Sequence, residues 1–280
     1  MEKSFNRKDV LFNGKRYPVN IYYNEDNIKI MNRYPDNFFD FAVVDPPYGI
    51  KEDGKSNHSR GKKEGAKRKA VAEARMYTPK DWDSKIPDPE YFYELRRVSR
   101  HQIIWGGNHF QDVRIKNPEN PEEVVNALGK TTCWLIWDKD NGSTSFADFE
   151  MAWTSLPYAN RIVKFMWSGM LQGNMKRKED RIHPCQKPVW LYFFIVNKFI
   201  EKMKDKMKII GRNVRVIDTH VGSASSLICF RESNIDFVGA EADEEYFEDS
   251  CKRLEHFKNG YFTKLNDSIN VKEPTQVTLF

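Results

Sequence analysis

Apolar runs that end in polar or turn-forming residues recur along the chain and predict an α/β protein. Strands are expected at 17–23, 41–44, 102–105, 132–137, 161–167, 214–217 and 235–240. Helices are expected at 27–33, 91–98, 148–154, 189–206, 226–231 and 244–257. The segment 117–126 contains Pro118 and Pro121 and is interpreted as a linker or helix entry.

Two consecutive prolines follow the apolar strand at 41–44, in the sequence Asp45-Pro46-Pro47-Tyr48. Prolines cannot continue a sheet ladder, so the chain must leave the sheet there in a stiff, extended loop. Because ligands of open α/β sheets bind at the carboxyl ends of strands, this loop would display its polar groups at a crevice. An accidental Pro-Pro loop is the alternative interpretation.

The groups of this loop suit methyl transfer to an exocyclic amine, whose lone pair is delocalised into its ring. Asp45 and the Pro46 carbonyl would accept the two amine hydrogens, so that the lone pair points at an electrophilic methyl group. Tyr48 would stack on a base that has left the duplex.

A second motif begins where the strand at 214–217 reaches Asp218. The small residues of the turn Val221-Gly222-Ser223-Ala224 would let the backbone approach a ligand at the start of the next helix. The following strand ends at Glu241, about twenty residues after the turn, where an acid is placed to accept hydrogen bonds from ribose hydroxyls. A nicotinamide dinucleotide is the rival ligand, but the turn lacks the three-glycine fingerprint. S-adenosyl-L-methionine is therefore the favoured cofactor.

Taken in order, these motifs resemble the amino-methyltransferases of DNA, in the permuted arrangement called the β class, where the DPPY block precedes the cofactor block. Between them, His183-Pro184-Cys185-Gln186-Lys187-Pro188 is similar to that family's HPTQKP segment. The segments 103–108 and 137–139 resemble stand-alone phage and bacterial adenine-N6 enzymes. The matches run from about Val19 to Leu254.

This resemblance implies a Rossmann-like three-layer α/β/α fold with a seven-stranded, mostly parallel sheet whose last strand is antiparallel. It implies one domain over 1–258, with the catalytic half first and the cofactor half last, followed by a tail at 259–280. The implied activity is transfer of a methyl group to adenine-N6 in double-stranded DNA by direct in-line displacement, as in restriction-modification systems. Cytosine-N4 methylation, an RNA or glutamine-amide substrate, and a catalytically weak DNA-binding homologue stay open.

The resemblance also assigns site residues. The catalytic set is Asp45, Pro46, Pro47 and Tyr48. The expected cofactor contacts are Asp26, Asp45, His183, Lys187, Asp218, Gly222, Ser223 and Glu241. Asp26 is equally placed to cap the helix that begins at residue 27.

Three residues depart from the family pattern. His220 stands where phenylalanine is usual and would be either a pocket lining or a surface residue. Ala224 stands where glycine is frequent and is unfavourable only if that position needs a positive φ. Cys185 replaces threonine and resembles the nucleophile of cytosine-C5 enzymes. The catalytic position is already filled by Asp45 to Tyr48, so a nucleophilic role is not favoured.

Composition is consistent with a globular enzyme, since 40% of the 280 residues are apolar and 14% are aromatic. The four cysteines show no metal-type spacing, so no metal site is expected, and the missing Cys-x-x-Cys pair argues against a zinc deaminase. Residues 1–10 are polar and charged, so no signal peptide is expected and the protein is predicted to be cytoplasmic, in a bacterial or phage-infected cell. Trp105 and Trp137 are expected in the core.

The net charge of +5 is unevenly distributed. Residues 51–75 carry nine basic and four acidic side chains. The difference of five equals the net positive charge of the whole chain. This basic loop, 51–78, follows the catalytic motif and is predicted to contact DNA, although a solvated loop is the alternative. The expected contacts are Lys55, Arg60, Lys62, Lys63, Lys67, Arg68 and Lys69. Residues 169–182 form a short candidate target-recognition segment.

The last five residues, Gln276-Val277-Thr278-Leu279-Phe280, resemble the linear motif with which bacterial replication proteins bind their sliding clamp. Gln276 would fix the register while Leu279 and Phe280 enter a pocket. A terminal strand packed on the protein's own surface is an equally weighted alternative. The sequence leaves open whether the protein is a monomer or a homodimer.

Overall fold

A nine-stranded sheet forms the centre of the protein in its computed structural model, which describes residues 1–52, 80–142, 147–168, 171–173 and 178–257. The strands are β1 (Glu2–Phe12), β2 (Lys15–Asn24), β3 (Phe39–Val44), β4 (Ser99–Trp105), β5 (Arg114–Lys116), β6 (Val124–Asn126), β7 (Trp134–Asp138), β8 (Phe149–Thr154), β9 (Arg161–Lys164), β10 (Trp167–Ser168), β11 (Leu171–Gln172), β12 (Arg215–Asp218) and β13 (Asp236–Glu241). The helices are α1 (Asn27–Met31), α2 (Pro89–Val98), α3 (Val189–Ile195), α4 (Glu201–Lys206), α5 (Ser225–Glu232) and α6 (Glu244–His256). A π-helical turn, Val196–Ile200, joins α3 to α4.

The sheet is mostly parallel, as the sequence predicts, with the strand order β1-β2-β13-β12-β3-β4-β8-β7-β9. Strands β2, β13, β12, β3 and β4 are mutually parallel, and β9 is parallel to β7. Strand β1 is antiparallel to β2, and β8 is antiparallel to both β4 and β7. The parallel strands bring several carboxyl ends to one edge, which is where a ligand crevice forms.

The expected strand count of seven is wrong, because the sheet has nine strands. The antiparallel strands are β1 and β8, whereas β13, the last strand in chain order, is parallel to both neighbours. The prediction missed β1 because the strand is polar and largely exposed. The two-residue turn Asn13-Gly14 joins it to β2 with both φ angles positive, which is the chemistry of a tight hairpin. That dipeptide was the available signal.

Two local predictions also need correction. Residues 148–154 were expected to be helical, but Phe149–Thr154 forms β8, since pairing with β4 and β7 on both sides outweighs local helix propensity. Residues 117–126 were expected to be a linker or helix entry, but Val124–Asn126 pairs with Arg114–Lys116 as an antiparallel hairpin. The other predicted strands and helices form within a few residues of their expected bounds.

The core lies on both faces of the sheet. Every residue of β3 is buried, with Phe41 and Val43 facing one side and Ala42 and Val44 the other. Side chains of α3, α5 and α6 fill the first side and those of α1 and α2 the second, which gives the three-layer α/β/α arrangement. Within the described ranges, no helix is long and apolar enough to cross a membrane.

The expected burial of Trp105 and Trp137 is confirmed. Both indoles lie in the core, with ring centroids 6.4 Å apart in an edge-to-face contact. Both rings therefore pack in the core, and Trp137 also borders the cavity described below.

Candidate active site

A cavity of about 1260 Å³ lies where the carboxyl ends of β3, β4, β12 and β13 meet. Its wall includes the loop Asp45 to Tyr48 after β3, Gly106 after β4, the turn 219–223 after β12, and Glu241 at the end of β13. The volume exceeds the usual ~300–1,000 Å³ of small-molecule sites. The loop after β3 and the turn after β12 therefore border one cavity.

The loop after β3 is held by Asp83, a buried side chain from a distant part of the sequence. Its Oδ1 accepts hydrogen bonds from the backbone amides of Tyr48, at 2.7 Å, and Gly49, at 2.9 Å. Its Oδ2 accepts from the Glu52 amide at 2.8 Å. One carboxylate thus satisfies three amides that the prolines and the turn leave without sheet partners.

The Tyr48 ring is fixed on several sides. A Cβ on Gly106, whose φ is +67°, would lie 2.1 Å from the Tyr48 ring, so this position requires glycine for both space and conformation. The hydroxyl of Tyr48 donates to Asp45 Oδ1 at 2.6 Å. His109 stacks on the ring with centroids 5.0 Å apart and planes 11° apart. A base that stacked on that ring face would have to displace His109.

Asp45 belongs to an alternating series of charges on the cavity wall. Its Oδ2 is in direct contact with the Lys187 ammonium. Lys187 Nζ also lies 3.0 Å from Glu150 Oε2, and Lys139 Nζ lies 2.6 Å from Glu150 Oε1. The Lys187 side chain is only 4% exposed, so these charges interact with little screening by solvent.

Burial and charge act against each other in this series. Burial raises the pKa of Asp45 while Lys187 opposes that effect. Burial alone would also raise the pKa of Glu150, but Lys187 and Lys139 lower it to about 2. For Lys187, burial lowers the pKa, but the two carboxylates outweigh it and raise the pKa above its ordinary value. Lys187 was predicted as a cofactor contact, yet its described contacts place it beside the catalytic motif.

Two acids in different positions, Glu241 and Asp218, hold the turn after β12. The Gly222 amide, at a φ of +53°, donates to Glu241 Oε2 at 2.9 Å, and the Asp243 amide donates to Oε1 at 3.0 Å. Asp218 lies behind the turn, where it accepts from the His220 amide at 3.0 Å and from the Ser226 hydroxyl at 2.5 Å. Burial raises the pKa of Asp218 to about 7. Glu241 lines the cavity and Asp218 does not, so Asp218 shapes the turn from behind.

Ala224 follows the buried Ser223 and adopts a φ of +60° at the N-cap of α5. A side chain with a Cβ pays about 1–2 kcal/mol in this left-handed conformation. The departure from glycine noted in the sequence therefore has a structural cost.

Two histidines line the cavity in their neutral form. His183 contacts the edge of Tyr246, with centroids 4.4 Å apart, and burial lowers the pKa of His183 to about 3. His220 lies 3.0 Å from the Asn27 amide nitrogen, and burial lowers its pKa to about 3 as well. Of the two alternatives left open for His220, the structure favours the pocket lining.

Asp26 and Cys185 each make contacts that differ from the direct functional roles considered for them. Asp26 is exposed and caps α1, accepting from the Lys29 amide at 3.2 Å, while its neighbours Glu25 and Asn27 line the cavity. The Cys185 thiol donates to the Glu52 carbonyl at 3.3 Å. Burial and the nearby carboxylates raise its pKa, so the group is a thiol and lacks the thiolate character of a nucleophile.

Sequence reasoning missed several residues of this wall. Asp83, His109, Glu150, Trp82 and Tyr246 all line the cavity. Each comes from a segment with no motif of its own, and only the three-dimensional pairing of the strands brings it to the site. Lys139 lay within a segment already noted for its resemblance to adenine-N6 enzymes.

Several predicted residues lie outside the described part of the chain. These are the DNA contacts Lys55, Arg60, Lys62, Lys63, Lys67, Arg68 and Lys69, and the clamp residues Gln276, Leu279 and Phe280. Of the segment 169–182, residues 171–173 and 178–182 are described, and Gln172, Glu179, Asp180 and Arg181 border the cavity. Among the described residues, no group of three or more His, Cys, Asp or Glu side chains could hold a metal ion.

No protein-family model matches this chain, and no curated protein matches it. Among solved structures it is similar to M1.HpyAVI, with a TM-score of 0.44 and 16% identity over 84% of this chain and 98% of that one. M1.HpyAVI in complex with SAM gives a TM-score of 0.43 and 13% identity over 83% and 98%. The cytosine-N4-specific PvuII DNA methyltransferase gives 0.44 and 11% over 88% and 89%. Scores this low decide nothing about the reaction of this chain.

Proposed function

We propose that this protein transfers the methyl group of S-adenosyl-L-methionine to adenine-N6 in double-stranded DNA. The observation that carries the proposal is the shared cavity, in which the loop Asp45 to Tyr48 faces the Gly222 turn and Glu241. Strand β3, which precedes the loop, pairs in parallel with β12, which precedes the turn. This pairing supports the proposed order of catalytic half first and cofactor half last. In this proposal, one wall presents hydrogen-bond acceptors for an amine and the other presents groups that bind a nucleoside.

The residues present fit the proposed cofactor. The Glu241 carboxylate borders the cavity and accepts two backbone amides, which leaves lone pairs for ribose hydroxyls. The turn at Gly222, whose φ is positive, and Ser223 lets the backbone approach the ligand, and Glu25 and Asn27 complete this end of the wall. When bound, the cofactor supplies an electrophilic methyl group on a sulfonium.

The protein's own contribution is to position the amine and handle its proton. The loop that Asp83 holds presents the Asp45 carboxylate and the Pro46 carbonyl as acceptors for the two amine hydrogens. As the nitrogen–carbon bond forms, the sulfur–carbon bond breaks and the nitrogen must lose one proton. Asp45 is the nearest carboxylate placed to receive that proton, and no covalent bond to the enzyme is needed.

Double-stranded DNA is proposed as the substrate because the basic segment begins and ends at the cavity. Glu52 lies at its start and Trp82 and Asp83 follow it closely, and all three border the cavity wall. The cations expected in this segment would gain from counterion release on DNA.

The decisive experiment is expression in a host without DNA methylation, followed by single-molecule sequencing that detects modified bases. A motif-specific adenine mark is expected, and it would also give the recognition sequence. Asp45→Asn should remove the mark, whereas Asp88→Asn, an exposed control at the start of α2, should keep it. A cytosine mark would select cytosine-N4 methylation, and the absence of any mark would refute the proposed activity.

Cofactor binding is tested separately by calorimetry. Glu241→Ala should weaken S-adenosyl-L-methionine about ten- to a hundredfold through lost hydrogen bonds to a carboxylate. The exposed neighbour Glu244→Ala should bind normally. Equal affinities for the two variants would refute the assignment of Glu241.

A further inference from the structure

The series Asp45, Lys187, Glu150 and Lys139 alternates in charge and joins the catalytic loop to the neighbouring strands β7 and β8. Lys187 contacts Asp45 on one side and lies 3.0 Å from Glu150 on the other, while Lys139 lies 2.6 Å from the second Glu150 oxygen. The Glu150 side chain is 23% exposed, and each of its two oxygens lies against one of these ammonium groups. Two carboxylates and two ammonium groups make the series neutral as a whole.

This arrangement bears on a difficulty in the proposed reaction. Asp45 already accepts from the Tyr48 hydroxyl and the Lys187 ammonium. A carboxylate that is the sole partner of a buried ammonium group is a poor proton acceptor, because the cation stabilises its ionised form. The amine, however, must release one proton when its bond to the methyl carbon forms. A second carboxylate on the same ammonium weakens the hold of that cation on the first.

We propose that Glu150 is a positioning residue, which holds the Lys187 ammonium between two carboxylates and so keeps Asp45 able to receive the amine proton, while Lys139 limits the pull of Glu150 on Lys187. The inference rests on the proposed methyl transfer and deepens it. Glu150 does not touch the reacting atoms in this proposal, and it acts through Lys187.

The titratable groups around Asp45 support the proposed effect of Glu150, which is to keep Asp45 able to accept a proton. Lys187 and Tyr48 are in hydrogen-bond contact with Asp45, and Glu150 and Cys185 lie close on the same cavity wall. After burial, which raises the pKa of Asp45, the charge of Lys187 lowers it and the charge of Glu150 raises it again. Removal of the Glu150 charge should therefore lower the pKa of Asp45.

The test measures the single-turnover rate of DNA methylation as a function of pH for the full-length protein. Glu150→Gln should reduce the rate about tenfold or more at neutral pH, because a less basic acceptor is a weaker general base. The acid limb of the pH–rate profile of this variant should also move to lower pH. A role in structure alone would lower the rate without moving this limb.

A second variant should shift the acid limb of the pH–rate profile in the opposite direction. Lys139→Met removes a cation and leaves Glu150 free to draw Lys187 away from Asp45, so the acid limb should move to higher pH. Glu94→Gln is the matched control, since Glu94 is a buried carboxylate paired with Arg97 at 2.6 Å on another part of the protein. It should keep the wild-type profile. If Glu150→Gln does not fold, the direction of the Lys139→Met shift decides.

The outcomes separate the two proposals. Opposite shifts for Glu150→Gln and Lys139→Met support the inference. A wild-type protein that methylates DNA, beside variants whose acid limbs do not move, would overturn the inference alone. A wild-type protein that methylates no DNA would overturn the proposed function and the inference with it.

Discussion

Asp83 offers a prediction that can be measured without any knowledge of the substrate. Asp83→Ala removes the acceptor of three backbone hydrogen bonds, from Tyr48 at 2.7 Å, Gly49 at 2.9 Å and Glu52 at 2.8 Å. A hydrogen bond to a charged group contributes about 1.5–3 kcal/mol. The three amides are only partly buried, so water can replace some of this, and we expect a loss of about 2–4 kcal/mol in the free energy of unfolding.

The measurement is urea denaturation of the variant beside Asp81→Ala, an exposed aspartate two residues away whose loss should be nearly neutral. If the loop comes loose without unfolding the protein, the same loss should appear as faster hydrogen exchange of the three amides. Under the proposed function, misplacement of the loop Asp45 to Tyr48 should also slow methyl transfer about a hundredfold. An unfolding free energy within about 0.5 kcal/mol of wild type, with unchanged amide exchange, would refute the assigned role of Asp83.

Three further changes test other parts of the site. Gly106→Ala should destabilise the fold by about 2 kcal/mol or more and abolish methylation, because its Cβ would overlap the Tyr48 ring; a wild-type melting curve would contradict this. Ala224→Gly should raise the unfolding free energy by up to about 1 kcal/mol in denaturation experiments, since relief at positive φ is partly offset by a more flexible unfolded chain. His220 has a folded pKa of about 3, below its unfolded value of about 6.5. Its contribution to stability is therefore lost as the pH falls below about 6.5, so His220→Phe should flatten the acid side of the stability profile. An unchanged slope would count against a buried neutral imidazole.

Sequence reasoning reached the parts of the fold that local chemistry determines. The double proline ends β3, and the small-residue turn at 221–224 opens α5, as expected. It failed for β8, where Phe149 to Thr154 becomes a strand through its two neighbours. It missed the polar strand β1 because an edge strand has little apolar surface to bury, although Asn13-Gly14 gave a turn signal.

The supporting residues of the site could not be predicted in the same way. Asp83 binds amides that lie more than thirty residues earlier in the chain, and Glu150 meets Lys187 across 37 positions of sequence. Neither residue carries a local pattern, since an aspartate in a loop or a glutamate in a strand is usually solvated. Their roles arise from strand order alone, and strand order is the property that local propensity specifies least.

The two acids of the cofactor motif show how one sequence pattern divides into two physical roles. Asp218 directs both oxygens at its own turn, to the His220 amide and the Ser226 hydroxyl, and burial raises its pKa to about 7. Glu241 instead stands on the cavity wall and is held by backbone amides, so a cation does not neutralise it in those contacts. Burial raises the pKa of Glu241 as well, and the hydrogen bonds from the Asp243 and Gly222 amides oppose that effect. The acid that ends β12 therefore builds the turn, and the acid that ends β13 is the one to which the proposed function assigns a ribose.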